Sequence, residues 1–344
     1  MKLRLGEICK MYQPKTISTE MLVDGGQYPV YGANGIIGHY DQYNHVESEL
    51  LMTCRGATCG TINVSLPYSW INGNAMVIHP INDNIVFDYL KYHLQALDLS
   101  TVITGAAQPQ ITRQSLVDVP VNIPPVEEQN HIARELDLLT GIIDKKNAQL
   151  RDLDALAQST FYEMFGDPNT NERGWKYKAL GDACALKAGK GIKASELSEE
   201  KAAGLYPCFG GNGIRGYIAK KSHKGTYPII GRQGALCGNV QLATGEFYAT
   251  EHAVVCTPGD GLHAVFVYYA LLAMNLNQYA TGVAQPGLAV KTLLPIPIVI
   301  PPMELQERFA EKICNIESQI ELLNVSLEQI DVLFHSRMDY YFND

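Results

Sequence analysis

From residue 126 onward the apolar positions fall into a step of fours and threes: Ile132, Leu136, Leu139, Ile143, Lys146, Leu150, Leu153 and Ala157. The same step returns as Phe309, Ile313, Ile316, Ile320, Leu323, Leu327, Ile330 and Phe334. Such spacing keeps side chains on one stripe of an α-helix, and a stripe held over about four heptads is a coiled-coil seam. It predicts long helices over 126–165 and 303–342. Pro124-Pro125 and Pro301-Pro302 stand before them, where a missing backbone donor costs nothing. Glu127, Glu128, Glu304 and Glu307 load the first turns with the charge that the helix dipole favours, and Phe165-Gly166-Asp167-Pro168 stops the first helix. Gly141 and Lys146 each cost about 1 kcal/mol in that helix and predict local splaying. At ~1.5 Å per residue each rod is roughly 60 Å long. Two seams in one chain are expected to pair with each other, antiparallel, with an approximate two-fold axis between the domains at their ends.

Residues 1–125 and 169–302 follow a different rhythm. Short β-branched and apolar runs (Leu50-Leu51-Met52-Thr53, Ala75-Met76-Val77-Ile78, Pro295 to Ile300) are bounded by glycine-, asparagine- and tyrosine-rich turns. Asn34-Gly35 and Asn212-Gly213 favour tight hairpins, because both central residues tolerate positive φ. Segments near 85–99 and 262–278 read as helices. Each region is therefore a mixed α+β domain.

The whole pattern is written twice. Tyr28-Pro-Val-Tyr-Gly-Ala-Asn-Gly-Ile-Ile-Gly38 returns as Tyr206-Pro-Cys-Phe-Gly-Gly-Asn-Gly-Ile-Arg-Gly216, with seven identities in eleven. Arg55-Gly-Ala-Thr-Cys-Gly60 returns, after a one-residue slip, as Arg232-Gln-Gly-Ala-Leu-Cys-Gly238. Thr104-Gly-Ala-Ala-Gln-Pro109 pairs with Thr281-Gly-Val-Ala-Gln-Pro286, and Ile123-Pro-Pro-Val-Glu-Glu-Gln129 with Ile300-Pro-Pro-Met-Glu-Leu-Gln306. Order is kept and the offset stays between 175 and 178, which makes the chain a tandem duplication.

Composition adds that the chain can bury a core: 46% of its 344 residues are hydrophobic and 18% charged. No run of ~18 apolar residues reads as a membrane span, and no amino-terminal leader pattern is present, so a cytoplasmic protein is expected. Eight cysteines without a Cys-x-x-Cys pair point to buried thiols in a reducing compartment. The formal charge of −9 argues against nucleic acid until it is apportioned. Residues 1–125 carry −3, 126–168 carry −5, 169–302 carry +5 and 303–344 carry −6. The second α+β domain is thus basic, and a phosphate backbone is attracted to such a surface.

Catalytic signatures are absent. The glycines at 32, 35 and 38 lie between extended segments rather than between a strand and a helix, so they read as a hairpin and not a dinucleotide loop. There is no phosphate-binding Gly-x-x-x-x-Gly-Lys-Ser/Thr loop, no His-Glu-x-x-His helix and no Gly-x-Ser-x-Gly elbow. In Asn122-Ile-Pro-Pro125 an isoleucine separates Asn from the prolines, unlike the Asn-Pro-Pro-aromatic motif of amino-methylating enzymes. The Thr-Gly-x-Ala-Gln-Pro motif either locks a turn or offers a glutamine to adenine. Loop polarity selects candidate DNA contacts: Tyr31, Asn34, Arg55, Asn74, Gln108, Gln110 and Arg113 in the first domain. In the second they are Asn212, Arg215, Lys220, Lys221, His223, Lys224, Arg232, Gln233, Asn239, His252, Gln285 and Lys291. No residue is singled out as catalytic or as a metal ligand.

Together these motifs, with Leu5-Gly6-Glu7 and Leu180-Gly181-Asp182 at the domain starts and Phe161 to Pro168 leading to Gly174-Trp175, resemble the specificity (S) subunits of type I restriction-modification systems. The resemblance spans nearly the whole chain, twice and in family order. It implies two target recognition domains, 1–125 and 169–302, each reading half of a split double-stranded DNA site. The helical regions 126–168 and 303–344 would set the spacing and dock two methyltransferase (M) subunits. It also implies restriction (R) subunits, with S-adenosylmethionine and ATP on those partners and no cofactor on this chain. The chain is compact for the family and its basic character lopsided, so unequal half-site affinities are expected. Two other readings stay open on the residues alone: a stand-alone methyltransferase or nuclease, and a protein-only coiled-coil adaptor.

Overall fold

The computed structural model describes residues 2–105, 108–234, 236–282 and 286–343. The chain divides into two units, Met1–Asn147 with Val325–Asp344, and Ala148–Asn324. Up to the first long helix the order is β1 (Lys2–Arg4), α1 (Leu5–Ile8), β2 (Cys9–Tyr12), β3 (Tyr28–Gly32), β4 (Gly35–Tyr40), β5 (Leu50–Thr53), β6 (Ile62–Val64), β7 (Trp70–Ile71), β8 (Ala75–Pro80), α2 (Phe87–Ala96), α3 (Arg113–Leu116), β9 (Pro120–Asn122) and α4 (Val126–Phe165). The plan then repeats: β10 (Lys176–Ala179), α5 (Leu180–Ala183), β11 (Cys184–Ala188), β12 (Tyr206–Gly210), β13 (Gly213–Ile218), β14 (His223–Lys224), β15 (Tyr227–Gly231), β16 (Val240–Ala243), β17 (Glu246–Ala249), β18 (Ala253–Pro258), α6 (Ala264–Ala273), α7 (Val290–Leu293), β19 (Pro297–Ile300) and α8 (Met303–Phe342).

In the first unit an antiparallel sheet of order β2-β8-β5-β6 packs beside a three-stranded sheet, β4-β3-β7, in which β3 and β7 are parallel. The second unit has β11-β18-β15-β16 and β13-β12-β17-β14, again with one parallel pair, β12 and β17. Strand side chains alternate between faces, and the burial shows both faces in use. Leu50, Met52, Met76 and Ile78 turn into the larger core with α2, whereas Leu51, Ala75 and Val77 meet Tyr31 and Ile71 in a smaller one. The second unit repeats the division, with Ile230, Val254 and Cys256 in one core and Ile229, Ala253 and Val255 in the other. This is why the central strands read as continuous apolar runs rather than alternating ones.

The hairpins fall where Asn-Gly placed them, with a different turn. Gly32 pairs with Gly35, so Ala33 and Asn34 form the loop and only Gly35 takes positive φ, +119°. Asn34 and Asn212 are not among the positive-φ residues, so the glycine after the loop absorbs the strain that two positive-φ residues were expected to share.

Each long helix is anchored at its start by a buried glutamine. Gln129 Oε1 accepts from Val86 N (2.8 Å) while its Nε2 donates to Asn84 O (2.9 Å) and Pro124 O (2.8 Å). Gln306 does the same with His263 N, Gly261 O and Pro301 O. α4 stays helical through Gly141 and Lys146, but its seam is loose there: Ile143 and Leu150 are only half-buried, and a side chain at 141 would meet nothing within 4 Å. In the second unit Phe161 and Phe165 pack on Phe309, and Leu153 and Leu156 face Leu322 and Leu323, so the two helices run antiparallel there. In the first, Ile132 and Leu136 share a core with Phe334, Met338 and Phe342. Arg337 and Tyr341 both bond Glu135, and the guanidinium first, then the phenol, holds that carboxyl below its ordinary value.

Candidate nucleic-acid interface

In the first unit the β3–β4 loop is pinned to the turn after β5. Thr58 Oγ1 donates to Asn34 Oδ1 (2.8 Å), and Thr53 Oγ1, which donates to Ala33 O (2.6 Å), stands 3.0 Å from the same oxygen. With its oxygen turned inward, exposed Asn34 offers its amide nitrogen, a two-proton donor, to the outside. Thr104, Pro109 and Gln110 lie against the same turn: Gln110 and Thr104 exchange backbone bonds (2.8 and 2.9 Å), and Gly56 N donates to Pro109 O (2.9 Å). Exposed Arg55 bridges to Gln110, and Asn74 lies one residue before Ala75, the partner of Thr53. Arg55 has no ion pair among the described residues. One solvent-facing edge therefore gathers Asn34, Arg55, Asn74, Gln108 and Gln110. Arg113 opens α3 just beyond it.

The second unit builds the same edge with other side chains. Asn239 Nδ2 donates to Asn212 Oδ1 (2.8 Å), replacing Thr58 as the clamp on the hairpin. Thr281 and Gly287 exchange backbone bonds, and Gly234 N donates to Pro286 O (3.0 Å). The edge gathers Asn212, Gln233, Asn239 and His252, whose Nε2 lies 3.4 Å from Glu251 Oε1. Lys291 sits on α7, which follows, and Gln285 lies outside the described residues.

Strand pairing removes the one-residue slip read from the sequence. Thr53 pairs with Ala75 as Gly231 pairs with Ala253, and Arg55 bridges Gln110 as Gln233 bridges Gly287. Arg55 is thus equivalent to Gln233, and Arg232 takes the place of buried Cys54. It is half-buried, bonds Glu251 O through Nη1 (3.4 Å), and keeps a buried Nε without a partner. A second correction concerns Tyr31: it is 6% exposed and its hydroxyl accepts from Leu66 N (3.0 Å), so it is core and not surface.

A third concerns charge. Lys220 pairs with Glu196, and Lys221 and Lys224 share Glu246 at 2.7 and 3.5 Å. Lys220 and Lys221 also lie over Tyr248 and Tyr206. Two carboxylates thus offset three of the expected lysines, at places that a segment count cannot show. Lys187 and Lys190, with Lys221, Ser222 and His223, line a cleft of about 440 Å³. Arg215 lies along Gly210 in the hairpin. Thr53, Thr58 and Glu251 are the contributors that polarity in loops missed; only pairing across strands reveals them.

Among the described residues no cluster of three or more His, Cys, Asp or Glu could hold a metal, and no helix is long and apolar enough to cross a membrane. The family model for the type I restriction modification DNA specificity domain matches residues 1–152 and again 172–332. The chain belongs to this family.

A type I restriction enzyme EcoprrI specificity subunit of Escherichia coli is 52% identical over 132 residues, 38% of this chain and 33% of that one. A putative specificity subunit of Haemophilus influenzae is 30% identical over 112 residues, covering 29% of its length. The chain thus spans about a third of each of these two relatives. The MjaVIII specificity subunit of Methanocaldococcus jannaschii is 22% identical, with 95% of this chain and 88% of that one covered. In fold, the crystal structure of a type I S subunit from M. genitalium matches with TM-score 0.71 at 15% identity, covering 100% and 96% of the two chains. A chain from a study of type I restriction-modification complex assembly matches with TM-score 0.54 at 16% identity. This chain matches the specificity-domain model twice, and the duplicated polar edge is what its two domains share.

Proposed function

We propose that this chain is the non-catalytic DNA-reading subunit of a type I restriction-modification complex, with residues 1–125 and 169–302 as target recognition domains for the two halves of a split, asymmetric site. The observation that carries this reading is the edge built twice from the same backbone bonds and lined each time by different polar side chains. Asn34, Arg55, Asn74, Gln108, Gln110 and Arg113 contact one half-site. Asn212, Arg215, Gln233, Asn239, His252 and Lys291 contact the other, in the major groove where each base pair shows a distinct donor and acceptor pattern. Lysines position the backbone. Residues 126–168 and 303–344 form an antiparallel coiled coil that spaces the domains about a pseudo-two-fold axis.

The same helices dock partners. Leu138, Leu156, Leu322 and Val332 are exposed on them, and Leu153, Leu156, Leu322 and Leu323 line an open groove of about 440 Å³. Apolar side chains exposed in rows on a helix pair mark a protein contact. Two M subunits carrying S-adenosylmethionine occupy this surface, R subunits add ATP-driven restriction, and the complex works in the cytoplasm.

Co-expression with its methyltransferase partner in a host without other methylation, followed by genome-wide mapping of modified bases, tests this. A split motif of fixed spacer, lost when either recognition domain is deleted, is the expected result. Soluble, associated proteins that modify nothing would overturn it in favour of a protein-only adaptor.

A further inference from the structure

Several cations of the second unit have no ion pair among the described residues, and two of them share a cleft. Lys220, Lys221 and Lys224 are tied to Glu196 and Glu246. Lys187, on β11, and Lys190, just after it, are exposed and have no ion pair among the described residues. Both line the cleft that also holds Lys221, Ser222, His223 and Tyr248. The turn that carries them is pressed onto the strands behind it. Gly189 N donates to Ala253 O (3.0 Å), Lys190 N donates to Ala249 O (3.1 Å), and a side chain at 189 would sit 2.0 Å from Ala249 O. The chain it presses on continues from Ala249 through Glu251 and His252, so the cleft adjoins the edge described above. Inside it, burial and then the charge of Lys187 pull the His223 imidazole below its ordinary value. A concave site with unneutralised ammonium groups concentrates field and attracts anions.

The first unit shows the same place closed. Pairing with Val77 and Val255 makes Tyr12 equivalent to Lys187, and pairing with Ser69 and Phe247 makes His45 equivalent to His223. The Tyr12 hydroxyl bonds His45 Nε2 at 2.9 Å, and Tyr43, in the place of Lys221, packs edge-on against Tyr28 and Tyr68. Rings and a hydrogen bond fill what lysines leave open.

We infer that the cleft between Lys187, Lys190 and His223 is a phosphate site that the second unit has and the first lacks, and that it holds a backbone phosphate of the DNA beside the edge of Gln233 and His252. This rests on the DNA-reading function proposed above. A phosphodiester at this position fixes register without specifying bases, so the second half-site is held by charge more firmly than the first.

The test uses the complex with its methyltransferase partner and a duplex carrying the mapped site, with affinity measured across salt concentrations. Each phosphate contact contributes about 0.9 to the slope of log K against log salt. The double variant Lys187→Gln/Lys190→Gln should flatten the slope by about 1 and leave the methylated motif unchanged. Lys187→Tyr, the side chain of the first unit, should also flatten it, and Lys187→Arg should keep it. Both lysines are exposed, so retained association with the partner shows that these variants still fold. An unchanged slope in the double variant would overturn the site. A wild-type complex whose DNA binding ignores salt would overturn the DNA-reading function and the site with it.

Discussion

The two units share a frame and differ in what hangs on it. Gln129 and Gln306 make the same three bonds, and the Thr104–Gln110 and Thr281–Gly287 backbone pairs close the same loop. Yet Arg55 becomes Gln233, Asn74 becomes His252, the Tyr12–His45 contact becomes an open cleft with Lys187 and His223, and buried His93 becomes Ala270. Backbone bonds and buried amides hold each loop in place, so an exposed side chain on it changes at little cost, usually within about 0.5 kcal/mol. A duplicated reader can thus diverge in what it recognises while its scaffold stays put. The replacement of His93 is of another kind, because it lies in a core.

The largest expected effect breaks one unit and spares the other. Phe309 is fully buried, with Phe161, Phe165 and Tyr269 ring centroids 5.2 to 5.7 Å away. Its counterpart in the first unit is the smaller Ile132. Phe309→Ala should cost the second unit about 3–5 kcal/mol, and Ile132→Val the first about 1 kcal/mol. Amide hydrogen exchange resolved by segment reads both. Equal loss of protection in both units for either variant would show that the two cores do not open separately.

A smaller effect depends on pH. His93 is 5% exposed, packs against Tyr89 and Phe342, and has no hydrogen-bond partner for either ring nitrogen. Burial pulls it from the ordinary 6.5 down to about 4, so the folded unit keeps it neutral. Between those values the unfolded chain binds a proton that the folded one refuses. Stability is therefore full above pH 6.5, falls as the pH drops towards 4, and loses no more to this group below that. The sum is about 3 kcal/mol. His93→Leu should flatten the acid dependence of α2 protection in the first unit. A variant as acid-sensitive as the wild type would assign that sensitivity to another group.

These comparisons also mark what could be read from the chain. The long helices start and stop where the prolines and the heptad steps put them, because a seam of apolar residues at 3.5-residue spacing has few other ways to be buried. Their seam is tight only towards the ends: Ile132, Leu136, Phe309 and Ile313 are buried, whereas Ile143, Leu150, Leu323 and Leu327 are half-exposed. The candidate site was readable as a set of loops but not as a set of side chains. Tyr31 looked like a surface aromatic until Leu66 took its hydroxyl, and Lys220 looked free until Glu196 came to it across 24 residues. Register decided the rest, since a one-residue displacement sends a side chain to the opposite face. That is how Arg232 resembles Arg55 in sequence and stands where Cys54 does.

The smallest effect in energy is the sharpest test of that register. Arg55 and Gln233 occupy one position on the two edges, both exposed. Arginine pairs bidentately with guanine and glutamine with adenine, and each such pair discriminates by about 1–3 kcal/mol. Arg55→Gln should convert a guanine of the first half-site to adenine, and Gln233→Arg should do the reverse in the second, each visible as one changed letter in the mapped methylation motif. Arg232→Gln, at the position of Cys54, should change no letter, because its guanidinium is turned towards Glu251. If Arg232→Gln alters the motif while Arg55→Gln does not, the equivalence drawn from strand pairing is wrong and the arginines correspond as the sequence first aligned them.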